Sequence, residues 1–374
     1  MKEKILKRQR EMMKEHDLDA LIAMSPENFG YVAGVIVPSQ ITVRSRHAIC
    51  ITPRRGDPVA VVVNIEEGLV RDSGWLEQTN VFSYNEFTQN PMEVAARQIE
   101  ALGLHQGRIG IELNYLPTLD YWILANALPN VEWVNAEGLF NLMRQIKLGE
   151  EIAAIEDFGH EAEEIIYRAF EKVHGGMTEQ DLANHLVNGF YAAGGDRLTM
   201  LVVASGPRSC FLNGAATNRQ INSGDLVRVD LIGTKKGYYC DVCRTAVVGP
   251  PSSDQKETWA KMVEVHDRII EQLRPGVGTK EIYDRFREDF LDAQLSPLDF
   301  VGHGLGLTLH EEPYIGRFSD VVLEENMVLC IEPIHVIPNQ YGFQLENEVI
   351  ITKNGCRIIS NRYDYKTLPV IKTK

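Results

Sequence analysis

Two rhythms of apolar and polar residues run along this chain, and each predicts a different element. Leu6 to His16 is charged with a helical stripe and predicts a surface helix. Short β-rich runs follow at Leu18–Met24, Ala48–Thr52 and Pro58–Asn64, the last entered through the turn Arg55-Gly56-Asp57. This first part ends near Val131 to Asn135. From Gly149 to Val173 the period becomes helical, with Ile152, Ile155, Ile165, Ile166, Ala169, Phe170 and Val173 on one stripe, and Gly175-Gly176 stops the helix. Thr178 to Asp181 reads as a capping box, with Asp in the place usual for Glu or Gln, opening a helix that ends at Gly194-Gly195. Two further helices are predicted at Lys256–Leu273 and Lys280–Leu291, separated by Arg274-Pro275-Gly276, with Thr279 as N-cap of the second.

Strand pairs flank these helices. Leu226–Ile232 and Tyr239–Val248 are rich in β-formers and enclose Thr234-Lys235-Lys236-Gly237, which predicts a hairpin. Asp230 and Asp241 are equally far from the midpoint of Lys235 and Lys236. A regular hairpin sets them directly opposite, with Cβ atoms about 5 Å apart. Opposed carboxylates repel, and a divalent cation between them is the simplest remedy. The arrangement recurs downstream. Met327–Glu332 and Phe343–Ile351 flank a turn centred on Asn339, and Glu332 and Glu346 are equally distant from it.

Between the hairpins lie Gly302-His303-Gly304-Leu305-Gly306 and His310-Glu311-Glu312-Pro313. The glycines allow close backbone approach and leave the His303 imidazole projecting. Four carboxylates and one histidine suit two divalent ions such as manganese, cobalt, iron or zinc.

At 374 residues the chain is long for one core, so two domains are expected, with the boundary between 136 and 150. The net charge of −14 argues against a nucleic-acid binder. The charged stretch Met1–Asp17 is not a signal peptide, and runs such as Val59–Val63 are too short to span a bilayer, so a cytoplasmic protein with no membrane partner is expected. Cys50, Cys210, Cys240, Cys243, Cys330 and Cys356 do not read as a disulfide framework. Cys240-x-x-Cys243 suggests zinc or redox chemistry, but no second pair accompanies it, and residues i and i+3 of a strand point to opposite faces, so both are expected to be buried thiols.

The ordered set Val229-Asp230, Tyr239 to Thr245, Gly302 to Gly306 with His310, Ile331-Glu332-Pro333 and Leu345-Glu346 resembles the pita-bread metallopeptidases: prolidase, aminopeptidase P, methionine aminopeptidase and their relative creatinase. Leu18 to Ile22, Ser25 to Asn28 and Tyr31 to Gly34 resemble the creatinase/prolidase N-terminal domain, and Ile146-Lys147 with Glu150 to Ile152 the start of the catalytic domain. The resemblance implies an α+β protein: a creatinase-like α/β domain at 1–138, then a pita-bread domain at 139–374. It implies that Asp230, Asp241, His303, Glu332 and Glu346 bind two metals, Asp241 and Glu346 bridging. Glu332 would shuttle the proton, and His310 would stabilise the substrate carbonyl. Two close cations lower the pKa of a bridging water and neutralise the tetrahedral intermediate. The implied activity is hydrolysis of a peptide or amide C–N bond in a dipeptide or other small substrate, Xaa-Pro dipeptidase-like, in a homodimer. Asn213 and Tyr314 join His310 as expected substrate contacts. Arg44, Arg46 and His47 lie where creatinase-like dimers send residues into the neighbouring subunit's site.

Two positions depart from the pattern. Prolidase-like enzymes carry a substrate-holding histidine where this chain has Asn213, and an arginine where it has Gln344. Loss of that arginine predicts a missing charge-assisted contact. Both departures leave open a non-peptide amide or amidine hydrolase resembling ectoine hydrolase. A sulfonium-propionate lyase is a further alternative, and a non-catalytic binding protein a third. Creatinase has lost the metal ligands, whereas all five stand here, which disfavours creatinase chemistry and a binding-only role.

Overall fold

Apolar runs too short for helices become strands buried on both faces in the computed structural model, which describes residues 1–372. The chain divides into two units, Met1–Arg144 and Gln145–Lys374. In the first, β1 (Ala20–Ala23), β2 (Ile49–Pro53), β3 (Val59–Val63), β4 (Val81–Tyr84), β5 (Arg108–Ile111) and β6 (Glu132–Asn135) form one sheet in the order β4-β3-β2-β1-β5-β6. Its helices are α1 (Lys2–Glu15), α2 (Pro26–Ala33), α3 (Pro38–Thr42), α4 (Glu67–Ser73), α5 (Pro91–Ala101), α6 (Thr118–Ala127) and α7 (Glu137–Gln145), the last reaching one residue past the division. Every residue of β1, β2 and β3 is buried, as expected for strands covered on both sides.

The second unit begins with α8 (Gly149–Phe170) and α9 (Glu179–Ala192). The capping box at the start of α9 forms as expected: Thr178 Oγ1 accepts from Asp181 N at 3.2 Å, and the Asp181 carboxylate accepts from Thr178 N at 2.9 Å. Strands β7 (Arg197–Ser205), β8 (Leu226–Lys235) and β9 (Tyr238–Val248) follow, then α10 (Ser253–Gln272), α11 (Thr279–Asp292), β10 (Phe300–Gly304), β11 (Glu311–Gly316), β12 (Val328–Ile331), β13 (Ile334–Ile337), β14 (Tyr341–Gln344), β15 (Asn347–Thr352), β16 (Gly355–Ile358) and β17 (Val370–Ile371). Three sheets result, ordered β17-β9-β8-β7, β11-β10-β12-β15-β16 and β13-β14. Phe158, Ile166 and Leu186 of α8 and α9 cover Val229, Leu231 and Val242 of the first. Trp259, Ile269 and Phe286 of α10 and α11 cover Val301, Leu329 and Val349 of the second. Helices thus line one face of each of the two larger sheets and leave the other for chemistry. Among the described residues, no helix is long and apolar enough to cross a membrane.

Three local expectations change. Thr279 is the first residue of α11 rather than its cap; Gly278 precedes the helix, and Thr279 Oγ1 accepts from Val321 N at 3.0 Å. The run Met327–Glu332 stops as a strand at Ile331, and Phe343–Ile351 is interrupted at Leu345-Glu346. The third change concerns register. Lys235 pairs with Tyr238, so the turn is Lys236-Gly237, and Asp230 lies opposite Cys243 while Asp241 lies opposite Ile232. The aspartates are diagonal neighbours on one face, not directly opposed. Counting from Lys235-Lys236 placed the turn one residue early. A two-residue type I′ hairpin turn has positive φ at both positions, and Lys236 (φ 54) and Gly237 (φ 80) supply it.

The exposed Lys236 is a poor choice for left-handed backbone. Lys236→Asn is expected to stabilise the protein by roughly 0.5–1 kcal/mol, because asparagine suits this turn. A midpoint of denaturant unfolding that stays put or falls contradicts this.

Candidate metal centre

The second hairpin has the register its sequence symmetry implies. Ile334 pairs with Gln344, Ile331 with Asn347, and Asn339 (φ 61) sits at the centre, which places Glu332 and Glu346 at opposed positions. They occupy the gap where the ladder is interrupted, between β12–β15 and β13–β14. Their backbones bond elsewhere: Glu332 N donates to Val301 O at 2.9 Å, and Glu346 N to Cys243 O at 3.3 Å. The break therefore ties the second hairpin to β10 on one side and β9 on the other. Glu332 and Glu346 are delivered to the face that carries Asp230 and Asp241.

His303, on β10, completes the set. Its Nδ1 lies 3.0 Å from the carbonyl of Gly304, which holds the proton on Nδ1 and leaves Nε2 as an acceptor. That Nε2 lies 3.3 Å from Glu332 Oε1 and 3.6 Å from Asp241 Oδ2. All five side chains are buried. Asp230 Oδ1, Asp241 Oδ1, Glu346 Oε2 and His303 Nε2 are buried with no hydrogen-bond partner among the described residues. An unpaired buried charge costs on the order of several kcal/mol. Burial, with Glu332 adding repulsion, raises Asp230 to about 6; burial, then neighbouring carboxylates, pushes Asp241 and Glu346 well above the carboxylate range. Converging acceptors, all short of a partner, fit a divalent cation in donor type and placement. One atom each from Asp241, His303, Cys330 and Glu346, and from His303, His310 and Glu332, lie within 4.8 Å of one another. Cys330 is a neutral thiol here, since burial first and the carboxylates second push it well above its ordinary value.

A second layer holds the ligands. Asp241 N donates to Glu348 Oε1 at 2.8 Å, and burial raises Glu348 to about 8. A side chain at Gly159 of α8 would strike the Glu348 carboxylate, which explains the glycine there. The buried Arg244 donates to Glu163 at 2.7 Å, Asn347 Oδ1 at 2.8 Å, Ser360 O at 2.8 Å and the carbonyl of Glu346.

His310 borders solvent, its ring stacked on His303 with centroids 3.7 Å apart. Desolvation, with His303 next to it, lowers it to about 4, so it is neutral at physiological pH. Tyr314 is half-buried with its ring 6.1 Å from that of His310. Lys147 and Glu311 form a buried ion pair beside them, and Thr308 Oγ1 donates to Glu311 at 2.9 Å. Asn213 lies exposed in the loop after the turn Gly206–Cys210. Cys240 packs into the core under α8 and α9, whereas Cys243 feels Asp230 and Glu346, so the pair points to opposite faces and both are unpaired buried thiols.

The remaining candidates belong to the first unit. Arg46 is held by Glu86 at 2.7 and 3.0 Å. His47 is buried, with Nε2 3.0 Å from Asp120, and burial lowers it. These two side chains are engaged inside their own unit; Arg44 is exposed.

Sequence reading missed Arg228. Gln344 was expected to leave the site without a cation, yet Arg228 Nη1 donates to Gln344 Oε1 at 2.6 Å, and Gln344 Nε2 to Glu332 Oε2 at 3.2 Å. Its signal was present: Arg228 and Asp230 are charged residues at alternate positions of an apolar strand, and so share a face.

Comparison with known proteins agrees with this geometry. The chain is 30% identical over 311 residues to the uncharacterized peptidase YqhT of Bacillus subtilis, covering 81% of this chain and 87% of that one. It is 33% identical over 246 residues to the Xaa-Pro dipeptidase of Pyrococcus furiosus, covering 64% and 71%. The crystal structure of dipeptidase PepE from Mycobacterium ulcerans superimposes with a TM-score of 0.86 at 26% identity, covering 99% and 98%. Residues 5–146 match the Creatinase/Prolidase N-terminal domain. Residues 153–353 match Metallopeptidase family M24, and with its carboxylate and histidine cluster in place the chain belongs to that family as a metal-dependent hydrolase that uses divalent metal.

Proposed function

We propose that this hydrolase is a dipeptidase acting on Xaa-Pro substrates. The observation that carries the reading is the set of buried acceptors without partners, Asp230 Oδ1, Asp241 Oδ1, Glu346 Oε2 and His303 Nε2, closed by Glu332. These five residues would hold two divalent ions, manganese, cobalt, iron or zinc. Bound there, the ions supply Lewis-acid polarisation of the scissile carbonyl and a nucleophile at neutral pH. Names of relatives support the substrate class: the Pyrococcus furiosus protein is an Xaa-Pro dipeptidase.

The chain's own residues divide the remaining work. Glu332 presents Oε1 to the cluster while Gln344 Nε2 donates to Oε2, and this carboxylate would take the proton from the attacking water and return it to the leaving nitrogen. Neutral His310, at the solvent border, donates a hydrogen bond to the oxyanion. Tyr314 and Asn213 flank the place where a dipeptide would lie. Because Arg228 stands behind Gln344, the change at 344 does not signal a different substrate; Asn213 is then drift in a substrate contact. We assign the working form to a homodimer in the cytoplasm, where unpaired cysteines persist, with Arg44 the residue of its segment available to a neighbouring subunit.

Manganese-loaded protein is expected to release proline from Xaa-Pro dipeptides, chelator to abolish release, and Glu332→Ala to remove it with less manganese retained. His310→Ala should lower kcat by roughly 10²–10³-fold. A metal-loaded wild type that releases no proline from such a panel rejects the reading.

A second expectation concerns pH. With Asp230 raised to about 6 and burial raising Asp241 and Glu346 well above their ordinary values, the metal-free fold binds more protons than the unfolded chain above the ordinary carboxylate range. Its stability therefore falls as pH rises from about 4 through those values. Metal displaces these protons. The rise in melting temperature on adding manganese should be larger at about pH 8 than at about pH 5. Equal rises at both, or none, would count against the site.

A further inference from the structure

Arg228 is 1% exposed and stands on β8 two residues before Asp230, on the same face. Its donors are spent on a specific set of acceptors. Nε donates to Ser209 O at 3.1 Å, Nη2 to Leu212 O at 2.7 Å and to Phe211 O, and Nη1 to Gln344 Oε1. Three of these acceptors are carbonyls of one loop, and that loop leads directly into Asn213.

The fourth acceptor stands between Arg228 and Glu332. With Oε1 taken by the guanidinium, the Gln344 amide faces Glu332 with its Nε2, which only donates. The backbone of Gln344 is fixed as well: its N donates to Thr245 Oγ1 at 3.0 Å, and Thr245 Oγ1 donates to Gln344 O at 2.9 Å. The loop is packed onto the strand that carries Gln344. Gly342 N donates to Ser209 Oγ at 2.9 Å, and a Cβ at Gly342 would collide with the Ser209 carbonyl.

We infer that Arg228 is the positioning residue that ties the substrate loop to Glu332. It shapes residues 209–213 through three carbonyls and, through Gln344, fixes which oxygen of Glu332 faces the cluster. The guanidinium polarises the amide and strengthens its N–H as a donor. A neutral amide holds Glu332 Oε2 without pairing directly with the carboxylate, as a second guanidinium would. Neither branch contributes a ligand, so loss of Arg228 is read in substrate handling and kcat rather than in metal content. The inference rests on the hydrolase role given to Glu332 above.

Gln344→Met cuts the Glu332 branch alone. It is expected to lower kcat by roughly tenfold while leaving KM within about twofold of wild type and bound metal unchanged. Arg228→Met cuts both branches, lowering kcat and raising KM. Adding Gln344→Met to it should deepen the kcat loss little, because the two share one path. Hydrogen exchange across residues 206–214 of the metal-loaded proteins should quicken in Arg228→Met and stay at the wild-type rate in Gln344→Met. Arg228→Lys, which keeps a cation but lacks the planar fork, should show the same quickened loop and serves where the methionine variant does not fold. Losses in kcat that simply add, or loop exchange unchanged when Arg228 is replaced, overturn the inference. Should the wild type release no proline, the dipeptidase reading fails, while the exchange contrast still decides the role of Arg228.

Discussion

Asp230, Asp241, Glu332 and Glu346 are each no more than 7% exposed, and oxygens on three of them have no hydrogen-bond partner among the described residues. Charges of one sign in a medium of low dielectric repel strongly, and burial alone makes each costly to ionise. A fold that only sought stability would scatter these residues onto the surface. This one draws them from two hairpins in different sheets, so the arrangement is organised around a cation that the carboxylates share. Much of the surrounding structure can be understood as what is required to hold that repulsion in place.

The interruptions of the second hairpin are the clearest case. A continuous ladder from Met327 to Ile351 would have given tidier hydrogen bonding, but it would have left Glu332 and Glu346 as ordinary strand residues. Breaking it at Glu332-Pro333 and Leu345-Glu346 moves their backbone bonds to Val301 and Cys243, so each glutamate is fixed by a neighbouring strand as well as by its own chain. Glu348 does the same for Asp241, accepting from its backbone N–H. Rigid backbone support of this kind lets four acidic side chains remain converged rather than turn away from one another.

The sequence carried more of this than of the sheet layout. Symmetry about Asn339 gave the opposed pair Glu332 and Glu346, because the register holds across the break. The same reasoning failed for Asp230 and Asp241 by one residue on each strand, since nothing in Thr234-Lys235-Lys236-Gly237 told which two residues would take positive φ; only Gly237 is built for it. The error left both aspartates on one face, because moving the turn centre by one residue shifts a pairing by two, the period of a strand. Thr279 was read as a cap because its side chain suits that role, but tertiary bonding to Val321 claimed it. Arg228 went unread for a different reason. Its alternation with Asp230 put it on the site's face, but its partners lie at sequence separations from 16 to 116, and no local pattern names them.

The placement of Arg228 and Arg244 follows from the same electrostatics. Arg228 reaches Glu332 only through Gln344, and Arg244 touches Glu346 only at its carbonyl, spending its charge on Glu163. A guanidinium bonded straight to a ligand carboxylate would form a charge-assisted, bidentate pair and occupy the lone pairs a metal needs. Set back by one group, each cation still makes the potential around the cluster less negative, as the downward pull of Arg228 on the Asp230 pKa shows, while the ligand oxygens stay unoccupied. The protein thus offsets part of the repulsion that assembles the site without competing for it, and leaves the rest to be neutralised by the metal.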